Sequence, residues 1–233
     1  APEAETHLRR ALDLSANHVG ARALLALQLV QNTATIREGA RLAQQAVWET
    51  PEDHRGHLAM AILGLRQGNW QLGAAAGGAA ERLQPHSGWA GVIVQFCAVV
   101  DGTADAAATF AGQDVENLLF LANIFADPIE IGSLPEAARE AAGPAVHALS
   151  VRLLLVAEHA LVEMQAMVRA ARCLDHVRRL DPRSAGASRV AGVLLFKCGI
   201  FELAGAALRY AADANPHDAL ARRYLAAARF AVS

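Results

Sequence analysis

The amino-acid sequence predicts an all-α protein, and three observations support that fold class. Apolar residues recur roughly every three to four positions, which is the period of a helix with one buried face. Hydrophobic residues make up 54% of the chain but aromatic residues only 5%, so Ala, Leu and Val dominate, of which Ala and Leu are strong helix formers. Prolines also recur at a fixed interval, because 34 residues separate Pro51 from Pro85 and Pro182 from Pro216.

The first predicted elements are one helix and one complete helical hairpin. A helix over residues 3–15 resembles the second half of a hairpin. Residues 20–53 form a full unit, in which a turn at Asn32-Thr33-Ala34 separates two amphipathic helices. Thr50-Pro51 predicts the start of the next unit, with Thr as N-cap and Pro at the first helical position.

Residues 54–87 repeat this plan, with a turn at Gly68-Asn69-Trp70. Gly73 and Gly77 lie inside the second helix of this unit, where each glycine costs about 1 kcal/mol relative to Ala. Close approach of a neighbouring helix is the expected compensation. The third unit begins with the most apolar helix of the chain, which ends at Asp101-Gly102.

The regular spacing is lost over residues 103–150, which are predicted to be a degenerate or irregular repeat region. Pro85 and Pro182 are 97 residues apart, five fewer than three repeats of 34. The predicted elements are helices over 103–112 and 115–126, a break at Asp127-Pro128, and a helix from the capping box Ser133-Leu134-Pro135-Glu136 to Gly143-Pro144.

Regularity returns at residues 145–184, and the unit over 185–218 has the clearest pattern of all. Its turn is Gly199-Ile200-Phe201, and a last helix follows over 219–232. Small residues are placed where the two helices of the 185–218 hairpin must approach closely, namely Gly192, Ala204 and Ala211.

A 34-residue period with this hairpin pattern resembles the tetratricopeptide repeat family. Gly68, Trp70, Ala80 and Pro85 match the family pattern at corresponding positions. The resemblance implies an α-α superhelix, that is, a right-handed solenoid of five to six helix-turn-helix repeats that spans residues 1–233 as a single domain. It also implies a non-catalytic scaffold or adaptor that binds another polypeptide.

Charge and composition exclude several other classes of function. The net charge of −2 creates no overall attraction for nucleic acid or an anionic membrane. The longest apolar run, Gly88–Val100, is shorter than the ~20 residues of a membrane span. The cysteines Cys97, Cys173 and Cys198 have no metal-like spacing, and each is expected to be buried in a helix.

The composition also leads to expectations about the cellular compartment of the protein and its source organism. An odd cysteine count without a disulfide pattern favours the cytoplasm. Because the sequence starts Ala-Pro-Glu without Met, a fragment, or a processed product in the periplasm, is the alternative. Arg-over-Lys usage, with Lys197 as the single lysine, and Ala richness favour a bacterium with a GC-rich genome.

Catalytic signatures do not occur in the sequence. It contains no phosphate-binding loop, no Gly-x-Ser-x-Gly elbow and no His-Glu-x-x-His motif, so no enzyme activity and no cofactor is predicted. His54 and His57 are one helical turn apart and could chelate a metal, but two imidazoles favour a structural or exposed role. His159 and Glu163 are expected to pair across one turn.

In the tetratricopeptide family the first helix of each hairpin lines a concave groove for a peptide or partner helix. The carboxylate clamp of the family uses Lys and Asn where this chain has Leu, Val and Ile, which favours an amphipathic or apolar segment with acidic residues as the partner. The predicted partner-binding residues are Arg55, Leu58, Ile62, Arg66, Trp89, Val92, Phe96, Arg152, His159, Arg189, Lys197 and Arg223.

Alternatives remain at each level. Trp89 and Phe96 are core residues if the irregular middle folds over them, and Arg55 and Arg66 are a solvated face in a purely structural interpretation. A second hypothesis for the function is that the chain is the helical arm of a larger enzyme, such as a transferase. Homo-oligomers can form through the apolar end faces that open helical stacks expose.

Overall fold

The computed structural model describes residues 2–85, 88–125, 134–162 and 166–232. Over these ranges the chain forms thirteen α-helices and no strand, which confirms the all-α prediction. The chain divides into two compact units, residues 1–145 and residues 146–233. Each unit is described by itself, and the single solenoid over residues 1–233 stays a prediction.

The first unit contains eight complete helices and the start of a ninth, in the ranges that the structure describes. These helices are α1 (Pro2–Leu14), α2 (Val19–Leu29), α3 (Ile36–Glu49), α4 (His54–Gln67), α5 (Trp70–Leu83), α6 (Gly88–Val100), α7 (Ala106–Ala111), α8 (Val115–Phe125) and α9 (Glu136–Val162).

The second unit contains the rest of α9 and four further helices among the residues described. These are α10 (Met167–Leu180), α11 (Ala185–Lys197), α12 (Phe201–Ala214) and α13 (Ala219–Val232).

Helices that follow each other in the chain pack together as hairpins. The most extensive contacts are those of α4 with α5 and of α11 with α12, followed equally by α2 with α3 and α12 with α13. The first helices of successive hairpins also pack on one another, α2 on α4 and α4 on α6 in the first unit, and α11 on α13 in the second. This alternation confirms the predicted helix-turn-helix repeat within each unit.

Two of the predicted turns depend on a glycine in the left-handed region. Gly68 has φ of 68° and Gly199 has φ of 77°, a conformation that other residues rarely adopt. After Gly68, the backbone N–H of Asn69 donates to the carbonyl of Gly64 at 2.9 Å, which closes α4. The Asn69 side chain then accepts from the N–H of Leu72 and caps α5.

The predicted N-cap at Thr50, with Pro51 as the first helical residue, is wrong, whereas the unit predicted from residue 54 does begin with α4 at His54. Thr50 ends α3, because its N–H donates to the carbonyl of Ala46 at 2.9 Å. Asp53 is the N-cap of α4, and its carboxylate accepts from the N–H of Arg55 at 2.9 Å. Asp is as strong an N-cap as Thr or stronger, and three residues are needed to reverse the chain here.

The predicted end of a helix at Gly143-Pro144 is also wrong, because α9 continues through Pro144 to Val162. Buried residues recur along α9 at every third or fourth position, so continuous packing of one face outweighs the backbone hydrogen bond lost at proline. These residues include Ala142, Ala145, Leu149, Leu153 and Ala157. The predicted break at 127–128 and the capping residue Ser133 lie outside the described residues.

Among the helices described, α9 alone is long and apolar enough to cross a membrane by length and composition. Its Glu136–Leu161 stretch is 26 residues long, and 33% of the most apolar part of this stretch is buried. The long core helix of a globular protein meets the same two criteria. The expectation that the chain lacks a membrane span therefore stays a prediction.

Small residues allow the helices of each hairpin to approach closely. A Cβ on Gly64 would lie 2.5 Å from the backbone nitrogen of Gly73, so α4 and α5 touch backbone to backbone. In the second unit, a Cβ on Gly192 would lie 2.5 Å from Cγ of Leu208. Ala204 is buried in the same hairpin, as is Ala211, which confirms the placement of the predicted small residues.

We expect Gly64→Ala to lower the free energy of unfolding by about 1–3 kcal/mol, because the added methyl group must push two backbones apart. The matched control is Gly205→Ala on α12, where a Cβ meets nothing within 4 Å and the gain is about 0.5–1 kcal/mol. Urea unfolding of both variants measures the difference. A Gly64→Ala protein as stable as wild type would contradict the close packing.

Candidate partner-binding surface

In the first unit, most of the predicted groove residues are core. Phe96 on α6 is fully buried, and its ring contacts Trp70 with centroids 5.9 Å apart and Phe125 of α8 with centroids 4.8 Å apart. Helix α8 packs on α4 and α6 and so covers the face that a regular repeat leaves open. The following predicted partner contacts are at most 4% exposed and are therefore corrected to core residues: Leu58, Ile62, Val92 and Phe96.

Trp89 differs from Phe96, because it stays at the surface. Its side chain is 40% exposed, and its ring stacks on Phe120 of α8 with centroids 4.4 Å apart and an interplanar angle of 1°. The alternative that both aromatic residues are core therefore holds for Phe96 and not for Trp89.

Arg55 and Arg66 are held by groups of their own unit. The Arg55 guanidinium donates to both carboxylate oxygens of Asp53, at 2.8 and 2.9 Å. Arg66 donates to the carbonyl oxygen of Gln31, which ties α4 to the end of the preceding first helix. Both arginines thus stabilise the stacking or the capping of helices within the unit.

The Asp53–Arg55 pair also affects the ionisation of Asp53. Burial alone would raise the pKa of this carboxyl, but the hydrogen bonds from the side chain and backbone N–H of Arg55 outweigh it and hold the pKa below the usual 3.8. The charged pair therefore stabilises the folded state above pH 3.8. This stabilisation is lost as the pH falls through the lower pKa of the folded state.

We expect Asp53→Asn to be less stable than wild type at neutral pH, and the difference to shrink as the pH falls below 3.8. Asn still caps the helix, so the change isolates the charge. Urea midpoints at neutral and acid pH measure the effect, with Arg55→Met as a control that should remove the same pH dependence. A difference that is constant with pH would contradict the assignment.

The second unit has a concave pocket of about 290 Å³ on the face of its first helices. We call it the α9–α11–α13 pocket, because α9, α11 and α13 each contribute to its walls. Its floor is apolar, and its charged groups lie at the edges. The lining residues are Glu158, Leu161, Arg189, Val190, Val193, Lys197, Leu220 and Tyr224.

Arg189 joins the three walls of this pocket. Its guanidinium forms an ion pair with the Glu158 carboxylate on α9, and its Nε lies 3.6 Å from Oδ2 of Asp218. Asp218 in turn accepts from the N–H of Ala221 at 2.9 Å and caps α13. One side chain from α11 therefore bridges to the neighbouring first helix on each side.

Lys197 lies at the other end of α11. Its ammonium group donates to the carbonyl of Leu161 at 2.7 Å, near the end of α9. Beside it, the ring of Phe196 contacts Tyr224 edge to face, with centroids 5.3 Å apart. The aromatic contact and the lysine hydrogen bond hold the walls of the pocket together at this end.

The structure brings together some of the predicted residues of this unit and not others. Arg189 and Lys197 line the pocket as predicted, whereas Arg152 and His159 on α9 are not among its lining residues. Arg223 is exposed and precedes the lining residue Tyr224. Glu163 and Gln165 lie outside the described residues.

Several lining residues were missed by the sequence reasoning. Glu158 and Tyr224 are the immediate neighbours of the predicted His159 and Arg223. The signal was present in the helical period, because Glu158 and Leu161 are three residues apart on α9 and Leu220 and Tyr224 are four residues apart on α13.

The two histidines that were weighed as metal ligands have separate partners. His54 Nδ1 lies 3.9 Å from an Asp53 oxygen, and His57 Nε2 lies 2.8 Å from the carbonyl oxygen of Pro51. Within the described part of the chain, no group of three or more His, Cys, Asp or Glu side chains is placed to hold a metal ion.

The cysteines are placed as predicted with one exception. Cys97 and Cys173 are buried, whereas Cys198 is exposed, so the expectation that all three are buried is wrong for Cys198. Burial, with a smaller effect of the charge of Asp101, raises the pKa of the Cys97 thiol to about 12. Cys97 therefore acts as a small apolar residue of the first unit.

Comparison with known proteins gives similar solved structures only. No protein-family model and no curated protein matches the sequence. An assembly chaperone of RpL4 (Acl4) is 15% identical, with a TM-score of 0.38, over 91% of this chain and 83% of that one. The TPR domain of P58(IPK) is 11% identical, with a TM-score of 0.37, over 97% of this chain and 82% of that one. Neither likeness assigns a partner to this chain.

Proposed function

We propose that this protein is a non-catalytic interaction module of the tetratricopeptide type. Its second unit binds an amphipathic helical segment of another polypeptide in the α9–α11–α13 pocket. The observation that carries the proposal is the pocket itself, in which first helices of neighbouring hairpins surround an apolar floor. A cytoplasmic location in a bacterium stays part of this proposal.

The openness of the pocket to solvent suits side chains of a polypeptide as its occupant. Its volume of about 290 Å³ is close to that of the smallest small-molecule pockets, about 300 Å³, so the proposal rests on the openness of the pocket and not on its volume. An open pocket suits one or two apolar side chains that project from one face of a helix, which is the helix-in-groove mode of recognition.

The polar groups of the pocket are paired with other groups of the protein, which suits a structural role and not a catalytic one. Arg189 is paired with Glu158 and Asp218, and Lys197 is bound to a backbone carbonyl. Leu220, by contrast, leaves 45% of its side chain in solvent beside this apolar floor. Burial of such apolar surface drives association, so Leu220 is the residue expected to gain most from a partner.

We expect Leu220→Glu to abolish binding, because a carboxylate cannot be buried unpaired on an apolar floor. The assay is selection of helical peptides from a displayed library on wild-type protein, followed by titration of the selected peptides. The matched control is Leu203→Glu on α12, since Leu203 is 60% exposed and does not line the pocket.

Retained binding by Leu220→Glu, or equal losses in both variants, would contradict the proposal. Both changes are at exposed positions, so circular dichroism should show wild-type helicity in each variant.

A further inference from the structure

We propose that the α9–α11–α13 pocket selects a helical segment with one acidic and one basic side chain, and that the order of the two charges sets the direction in which the segment lies. The preferred segment carries an acidic side chain at the Lys197 end, apolar side chains over the floor, and a basic side chain at the Glu158 end. This inference rests on the proposed function and adds the chemistry and the orientation of the partner.

The Glu158 end of the pocket has an excess of negative charge. Two carboxylates, Glu158 and Asp218, face the single guanidinium of Arg189. The formal charge of this group is therefore −1. A lysine or arginine from a partner can share the two carboxylates with Arg189, whereas an acidic side chain would add a third negative charge.

The Lys197 end has the opposite sign. The ammonium group of Lys197 is bound to a neutral acceptor, the Leu161 carbonyl, so its full charge remains available to a partner. An ammonium group has three donors, of which this contact uses one. Exposed Arg223 lies on the turn of α13 whose Tyr224 contacts Phe196, beside Lys197, and adds positive charge there.

The separation of the two ends differs from one wall of the pocket to another. Arg189 and Lys197 are eight residues apart on α11, about 12 Å along the helix, whereas the groups that they contact on α9, Glu158 and the Leu161 carbonyl, are three residues or about 4.5 Å apart. A partner helix matches this range with charged side chains one or two turns apart. The dipole of α11 offsets about half a charge at each end of the helix. This offset reduces the difference in charge between the two ends of the pocket but does not reverse its sign.

The consequence is that the pocket fixes the direction in which a helix binds. A segment with one acidic and one basic side chain gains an attractive pair at both ends, and exchange of its two charges reverses the direction in which it binds. A segment with two acidic or two basic side chains meets a like charge at one end in either direction. Partly exposed pairs contribute about 0.2–1 kcal/mol each, so a mixed segment should bind about two- to thirtyfold more tightly than a like-charged one.

The experiment uses three sets of stapled helical peptides with the same apolar residues and with two charged residues one or two turns apart. One set has an acidic and a basic residue, the second has two acidic residues and the third has two basic residues; each is titrated against the full chain by fluorescence anisotropy. We expect the mixed set to bind wild-type protein about two- to thirtyfold more tightly than either like-charged set. With Lys197→Glu, the preference for the mixed set over the two-base set should vanish or reverse.

The matched control is Arg209→Glu, which changes the net charge equally at an exposed position of α12 outside the pocket. It should keep the wild-type preference. Because Lys197 also ties α11 to α9, the second variant is Arg223→Glu, which reverses a charge at the same end without that contact. Either variant must show wild-type helicity by circular dichroism.

Equal affinity for the mixed and the like-charged peptides would overturn this inference and leave the proposed function standing. A preference that survives both Lys197→Glu and Arg223→Glu would overturn it as well. Failure of every peptide to bind wild-type protein would overturn the proposed function together with the inference.

Discussion

The close approach of paired helices is the constraint on which both units depend. In the first unit α4 and α5 meet at Gly64 and Gly73, and in the second α11 and α12 meet at Gly192. Because these positions have no side chain, α4 lies directly against the backbone of α5, and the Leu208 side chain of α12 packs on the backbone of α11. The first helices are thereby brought into contact with one another, and the α9–α11–α13 pocket lies on the face that they share.

The two units are built from hairpins of the same type, but the faces of their first helices differ in how far they are covered. In the first unit, α8 covers the first helices, and Phe125 packs on Phe96 where a partner would otherwise bind. In the second unit, an apolar floor remains open to solvent at Leu220, and polar contacts tie its walls. The Arg189 side chain contacts both neighbouring helices. The contacts that stack these helices therefore also form the walls of the open pocket.

Local chemistry made much of this fold predictable. Gly68 and Gly199 end helices because their backbone conformation is rarely adopted by other residues, and that preference can be read from the sequence. The burial of Phe96 could not be read in this way, since it depends on a helix that lies about twenty residues further along the chain. The continuation of α9 through Pro144 has the same origin, because tertiary packing outweighed a local rule. Arg189 and Lys197 were expected from the resemblance to the tetratricopeptide family, whereas Glu158 was missed by one position.

The central claim is that the second unit binds a polypeptide through the apolar floor of its pocket. Methyl NMR spectra recorded during titration with a selected helical peptide test it most directly. The account predicts that the largest shift changes fall on the methyl groups of Val190, Val193 and Leu220, which line the pocket. Changes centred instead on methyl groups beside the exposed Trp89–Phe120 pair of the first unit would contradict it.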